Sequence, residues 1–369
     1  MKKLVCALLF LALLFNISPP TKALSARAAV VISGDTGDVL YSLNSDVRLP
    51  MASTTKIMTA LLLTQNCKDL DAEIIVTNEM VAVEGSSMGL LPGDRVSYRG
   101  LLYGMMLSSG NDAANATAIA IGGSVDGFVA LMNNKAQELG LNNTHFVTPS
   151  GLDGEGHYTT AYELALIARE ALKNPDFAEA AAAKSATLYY GNPPYRRTIS
   201  NHNKLLEMYN DIVGVKTGFT KKSGRCLVSA ARQDGKYVIA VTLNDGDDWA
   251  DHRFLLDTGM AAIEVYEYSN ESTAVRIPVL SGKDESAEVI IGSADFCIPK
   301  GQSVESKLCM PHFLYAPVEK DAIIGSIEYM SLDRLVYRGN IIASDSIKQK
   351  SDSKIEIILE IFKFMTAII

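Results

Sequence analysis

Strand-like sequence at both ends of a long segment, with helix-like sequence between, is the pattern that most restricts this chain. Ala28–Tyr41 reads as a hairpin, with strands at Ala29–Ser33 and Val39–Leu43 around the turn Gly34-Asp35-Thr36-Gly37. After Pro50 the apolar residues Ile57, Met58, Ala60, Leu61 and Leu62 describe a helix from Ser53 to about Gln65, buried on most sides. Further helices are expected at Tyr98–Met106, Asn111–Ile121, Val125–Leu139 and Thr160–Leu172. Strands return at Ile212–Thr217, Arg225–Ala231 and Tyr237–Leu243. Such an order predicts an α+β domain over 27–265, in which one sheet is built from both chain ends and helices pack on it.

Beyond it, Ala274–Val279, Ala287–Ile291 and Ile323–Tyr329 alternate with turns, so 273–344 reads as a small β-sandwich. The polar run from Ser344 to Lys354 is a linker. Asp352–Ile369 then forms an amphipathic helix: Asp352, Glu356, Glu360 and Lys363 share one face and apolar residues fill the rest. From Ile355 to Ile369 fifteen residues rise roughly 22 Å, short of the roughly 30 Å of hydrocarbon, so the expectation is an in-plane anchor on the membrane surface.

At the other end Lys2 and Lys3 precede an apolar run, Leu4 to Phe15, that stops near Pro19 and Pro20. This is the pattern of a secretory signal peptide, taken as 1–26 with cleavage near Ala26. Its removal takes three lysines and no acid, moving the formal charge from −8 to −11. An acidic chain is a poor nucleic-acid binder. Neither Cys67 nor Cys226 has a neighbour at metal-ligand spacing, and neither a metal nor another cofactor is expected. Cys297 and Cys309, twelve apart, are candidates for a disulfide, which export permits without requiring.

Three short elements carry chemistry. In Ser53-Thr54-Thr55-Lys56 a three-residue step at a helix start puts Ser53 and Lys56 on one face. A lysine set among apolar residues loses its charge readily and can take the proton of a serine hydroxyl. Ser109-Gly110-Asn111-Asp112 lies between an apolar run and an alanine-rich helix, where a polar loop can face a cleft. There Ser109 could relay a proton and the Asn111 amide could bind both the lysine and a substrate carbonyl. Lys216-Thr217-Gly218 ends a strand, offering a cation and a hydroxyl to a carboxylate and a glycine against which a peptide can lie. Each alone is weak, and helix capping explains the first two as well. Their order, 56 and then 107 residues apart, is what gives them weight.

With these elements, and with Thr148-Pro149-Ser150-Gly151-Leu152, Gly214-Val215-Lys216-Thr217-Gly218-Phe219-Thr220 and Ala316-Pro317-Val318, the chain resembles the low-molecular-mass penicillin-binding proteins. These are serine D-Ala-D-Ala carboxypeptidases with a serine transpeptidase/β-lactamase-like fold. The resemblance implies that Ser53 attacks the penultimate D-alanine carbonyl of a peptidoglycan stem peptide, with Lys56 as base. It implies an oxyanion hole from the N–H groups of Ser53 and Phe219, covalent inhibition by β-lactams, a role in cell wall biogenesis, and tethering to the outer face of the cytoplasmic membrane. Some relatives carry an arginine where this chain has His202, so carboxylate recognition is expected to fall on Lys216 and Thr217.

Three rival functions use or could carry the same elements. A class A β-lactamase needs a glutamate in an E-x-x-x-x-N or E-x-x-N loop well before K-T-G, and between Asn111 and Lys216 the only E-x-x-N is Glu207 to Asn210, six residues from Lys216. A wall-binding protein without turnover fits poorly with an intact set of reactive residues. A D,D-endopeptidase uses the same chemistry on cross-links.

Overall fold

The structure, a computed structural model, describes residues 24–268 and 275–350. Residues 1–23 of the expected signal peptide 1–26, and the expected helix Asp352–Ile369, lie outside the described residues.

Strands β1 (Ala28–Ser33) and β2 (Val39–Leu43) join β7 (Ile212–Thr220), β8 (Gly224–Gln233) and β9 (Lys236–Asp245) in one antiparallel sheet of order β2-β1-β9-β8-β7. All six residues of β1 are buried, because the sheet is covered on both faces. Val30 and Ile32 point into the larger core, while Ala29 and Val31 pack with Leu255 and Leu256 on the other side. The two-residue period of a strand divides β1 between two cores.

The larger core is built around α1 (Lys56–Asn66), in which every residue from Lys56 to Leu63 is buried. Around it lie α2 (Tyr98–Met106), α3 (Asn111–Gly122), α4 (Val125–Glu138) and α5 (Ala161–Ala171). Side chains of Ser97, Ser124 and Thr160 cap α2, α4 and α5 by accepting the N–H of Gly100, Gly127 and Glu163.

Two of the longer helices among the described residues escaped the sequence reading. α6 (Pro175–Ala182) carries a legible signal, an Asn174 cap followed by proline at the first position. α7 (Asp248–Ala262), which covers the second face of the sheet, has little contrast between its faces and no clear period.

A second, four-stranded sheet was also missed: β3 (Glu73–Ile75), β4 (Arg95–Ser97), β5 (Ser185–Gly191) and β6 (Pro194–Ser200). Its first two strands have three residues each, too short for alternation to register.

The C-terminal region is a six-stranded sheet of order β14-β16-β17-β12-β11-β15, from β11 (Val275–Leu280), β12 (Ser286–Ile291), β14 (Glu305–Cys309), β15 (Leu314–Tyr315), β16 (Ile323–Ser331) and β17 (Arg334–Ala343). Packed with it is a ribbon of β10 (Ile263–Tyr268) and β13 (Ala294–Pro299), through a cluster that contains Tyr266, Phe296 and Tyr329. The ribbon's first strand straddles the boundary expected at 265.

Cys297 and Cys309, the candidates for a disulfide, do not pair: both thiols are free. They sit in separate sheets. Cys297 is buried on the ribbon with its thiol on the Gly235 carbonyl at 3.1 Å, whereas Cys309 ends an edge strand.

At the N-terminus, Ser25 is part of the fold. Its N–H donates to Asp251 Oδ2 at 2.7 Å, and its hydroxyl lies 2.5 Å from Asp245 Oδ1 and 3.0 Å from Asp251 Oδ2. Ser25 Oγ in turn accepts the N–H of Gly246 and Asp247.

Candidate active site

Ser53 sits in a single 3-10 turn, Ala52–Thr55, that leads into α1. One turn on, the Lys56 amine is 3.1 Å from Ser53 Oγ, 2.7 Å from Asn111 Oδ1 and 2.7 Å from the Ser150 carbonyl. Asn111 opens α3 and donates its amide N–H to the Glu84 carbonyl at 2.6 Å, which fixes Oδ1 toward the lysine. The Ser150 carbonyl is held because Thr59 of α1 donates to the neighbouring Pro149 carbonyl at 2.6 Å.

Two of the three neighbours of the amine can only accept, so each fixes one N–H. The third, Ser53, can donate. A neutral amine therefore fits without a loose end, its lone pair on the serine hydroxyl. Burial drives the amine that way: desolvation first, then the charge on Lys216, hold Lys56 well below its ordinary pKa, against a smaller opposing pull from Asp112.

Ser109 is buried at the cleft wall with φ of 58°, a left-handed conformation uncommon outside glycine. Lys216 of β7 is also fully buried, and desolvation brings its pKa down to about 7. Its amine donates to the Thr217 carbonyl at 2.9 Å. Thr217, Gly218 and Phe219 line the cleft beside Ser53, and a Cβ at Gly218 would meet Ser53 N at 3.0 Å. The cleft holds about 480 Å³. All eight residues singled out from the sequence thus converge on one place: Ser53, Ser109, Thr217, Gly218 and Phe219 along the cleft, with Lys56, Asn111 and Lys216 buried behind them.

The D-alanyl-D-alanine carboxypeptidase family model matches residues 15–247. The chain belongs to this carboxypeptidase family. It is 31% identical to the D-alanyl-D-alanine carboxypeptidase DacF of Bacillus subtilis, over 96% of this chain and 95% of that one. Among solved structures it resembles the carboxypeptidase DacD of Francisella tularensis, with TM-score 0.64 and 27% identity over 90% of this chain and 96% of that one. A DD-transpeptidase of Streptomyces is similar at TM-score 0.62 and 34% identity, covering 65% of this chain and 98% of its own.

Within this carboxypeptidase the structure adds residues that the motifs did not reveal. Asp112, next to Asn111, is buried and accepts hydrogen bonds from Ser87 Oγ at 2.6 Å and from the N–H groups of Met88, Gly89 and Leu90 at 3.0 Å each. It pins the loop that brings Ser86 to the cleft. From the other side Tyr190 donates to the Met88 carbonyl and Arg197 to the Gly89 carbonyl at 3.1 Å, so the second sheet braces that loop.

Arg225 of β8 also lines the cleft, its guanidinium 2.6 Å from Asp248 and 5.4 Å from the Trp249 ring centre. Cross-strand pairing explains its position, since Arg225 lies opposite Phe219. The sequence reading took this stretch only as a strand. His202 is half-buried at the cleft, and desolvation followed by the Lys216 charge lowers its pKa, which disfavours a cation at this position.

Proposed function

We propose that this serine D-Ala-D-Ala carboxypeptidase acts through Ser53 as nucleophile and Lys56 as its base. The contact between a fully buried amine and Ser53 Oγ, 3.1 Å long, is the observation that carries the reading. As Ser53 Oγ attacks the penultimate D-alanine carbonyl of a stem pentapeptide, its proton passes to Lys56. The new C–O bond leaves charge on the carbonyl oxygen, which the N–H groups of Ser53 and Phe219 receive.

Collapse of this intermediate breaks the peptide bond. Ser109, within reach of the same cleft, is the relay through which the leaving amine takes a proton. Water then attacks the acyl-enzyme by the reverse assignment of roles. A β-lactam reacts with Ser53 in the same way, its ring nitrogen leaving but staying attached. Asn111 orients Lys56 and the substrate amide, while Lys216, Thr217 and Arg225 supply cation and hydroxyl for the terminal carboxylate.

The place of action in this reading is the outer face of the cytoplasmic membrane. Supporting it are the apolar leader behind Lys2 and Lys3 and the amphipathic pattern of Asp352–Ile369, too short and too charged to span. Peptidoglycan stem peptides lie there, and the C-terminal β-region serves as a spacer between anchor and cleft.

Intact-mass analysis after benzylpenicillin tests the nucleophile: one acyl addition is expected, absent in Ser53→Ala. Persistence of the addition in that variant would overturn the assignment. Release of D-alanine from a pentapeptide, with a cross-linked dimer left uncut, separates the carboxypeptidase from an endopeptidase.

A further inference from the structure

Ala52, the residue before Ser53, has φ of 48°. An alanine does not hold a left-handed backbone unaided, so its surroundings must fix it. The Ala52 carbonyl accepts the Thr55 hydroxyl at 2.8 Å, and Thr55 Oγ1 lies 2.8 Å from His157 Nε2. The far nitrogen of that ring, Nδ1, accepts the backbone N–H of Val147 at 3.0 Å. The ring proton is therefore on Nε2, and every bond has one direction: His157 donates to Thr55, and Thr55 donates to Ala52. Burial keeps the ring neutral, its pKa lowered to about 4 chiefly by desolvation. Gly151 presses on the same group, since a Cβ there would stand 1.9 Å from the Ala52 oxygen.

The Ala52 carbonyl and the Ser53 N–H belong to one peptide plane and point in opposite directions. With the carbonyl held toward Thr55 and Gly151, the N–H must face away from them, on the side where Ser53 N approaches Gly218 of β7. We propose that Thr55 and His157 are positioning residues that aim the Ser53 N–H, and with it half of the oxyanion hole, at the developing charge. The proposal rests on the reading of Ser53 N–H as an oxyanion donor. Neither residue touches substrate. Both act through the backbone.

The test uses the full-length protein with Thr55→Val, which keeps shape and loses the hydroxyl, and with Thr55→Ser, which restores it. The acylation rate constant and the prior dissociation constant for benzylpenicillin are measured separately, together with the affinity of a D-alanine-derived boronic acid whose tetrahedral adduct mimics the charged intermediate. Losing one oxyanion donor outright costs about 10²–10³-fold, so a misaimed one should cost about 10–100-fold. Thr55→Val should lose that factor in acylation and in boronate affinity while the dissociation constant of the initial complex stays put, and Thr55→Ser should recover both. His157→Gln, a second route to the same break, should give a loss that does not add to that of Thr55→Val, because the two act in series. Wild-type acylation and boronate affinity in folded Thr55→Val would overturn the proposal. So would an equal loss in binding and acylation that simply follows a lower Tm. Failure of the wild type itself to form a Ser53 boronate adduct would instead remove the parent reading, and the proposal with it.

Discussion

Lys56 and Lys216 are both buried behind one cleft, and the charge on Lys216 pushes the pKa of Lys56 down while the carboxylate of Asp112 pulls it up. The base is thus set by two opposed charges as well as by desolvation.

Opposite pH shifts follow from that opposition. Lys216→Met removes a repulsive charge and raises the Lys56 pKa, so the acid limb of benzylpenicillin acylation should move to higher pH. Asp112→Asn removes the attractive charge, and its limb should move to lower pH. Acylation rates across pH 4 to 9 for both variants check the pair, and a shift of the same sign in both would contradict it.

Lys56→Met keeps a chain of similar length without a base. Acylation should fall by about 10²–10⁴-fold, the ordinary worth of a general base. Lys56→Arg should do worse than lose activity: a guanidinium must replace an amine that has three neighbours within 3.1 Å and no exposure. Penicillin labelling and thermal melts should show a folded, inactive Met variant and an Arg variant of lower Tm.

Ser25 should matter for stability. Ser25→Ala takes a hydrogen-bond partner from Asp245 and Asp251, both nearly fully buried, and should cost about 1–3 kcal/mol. A mature chain that begins after Ala26 would lose the same bonds and the Ser25 N–H besides. Where the proposed leader is cleaved, N-terminal sequencing is therefore expected to find Ser25 retained, and a start at Arg27 with undiminished Tm would refute this.

His252 gives the fold an acid-sensitive point. It is buried between Ser229 and Thr242, and desolvation lowers its pKa from 6.5 to about 3. Between those values the unfolded chain binds a proton that the folded chain does not. Stability from this group is complete above about pH 6.5 and drains as pH falls toward 3. His157, lowered to about 4, works in the same direction. Melting curves of wild type and His252→Asn from pH 7 to 4 should show the variant less stable at pH 7 and flatter below it.

Sequence alone determined the chemistry of this protein and the elements that present it. The spacing from Ser53 to Lys56 is local, so one helical turn brings them together in any fold, and the apolar residues after Lys56 already imply a buried amine. The strands around Lys216 and the helix after Asn111 are long enough for their periods to register. What joins Ser53 to Asn111, Ser150 and Lys216 is tertiary: these contacts span tens to more than a hundred residues, and no local pattern encodes which loop carbonyl will face an amine. Arg225 reaches the cleft only through its register opposite Phe219, and His157 meets Thr55 across a hundred residues of chain, where Gly151 lets its own segment lie against Ala52. Cys297 and Cys309 make the same point in reverse, since nearness in sequence could not foresee that the chain between them crosses from one sheet to another.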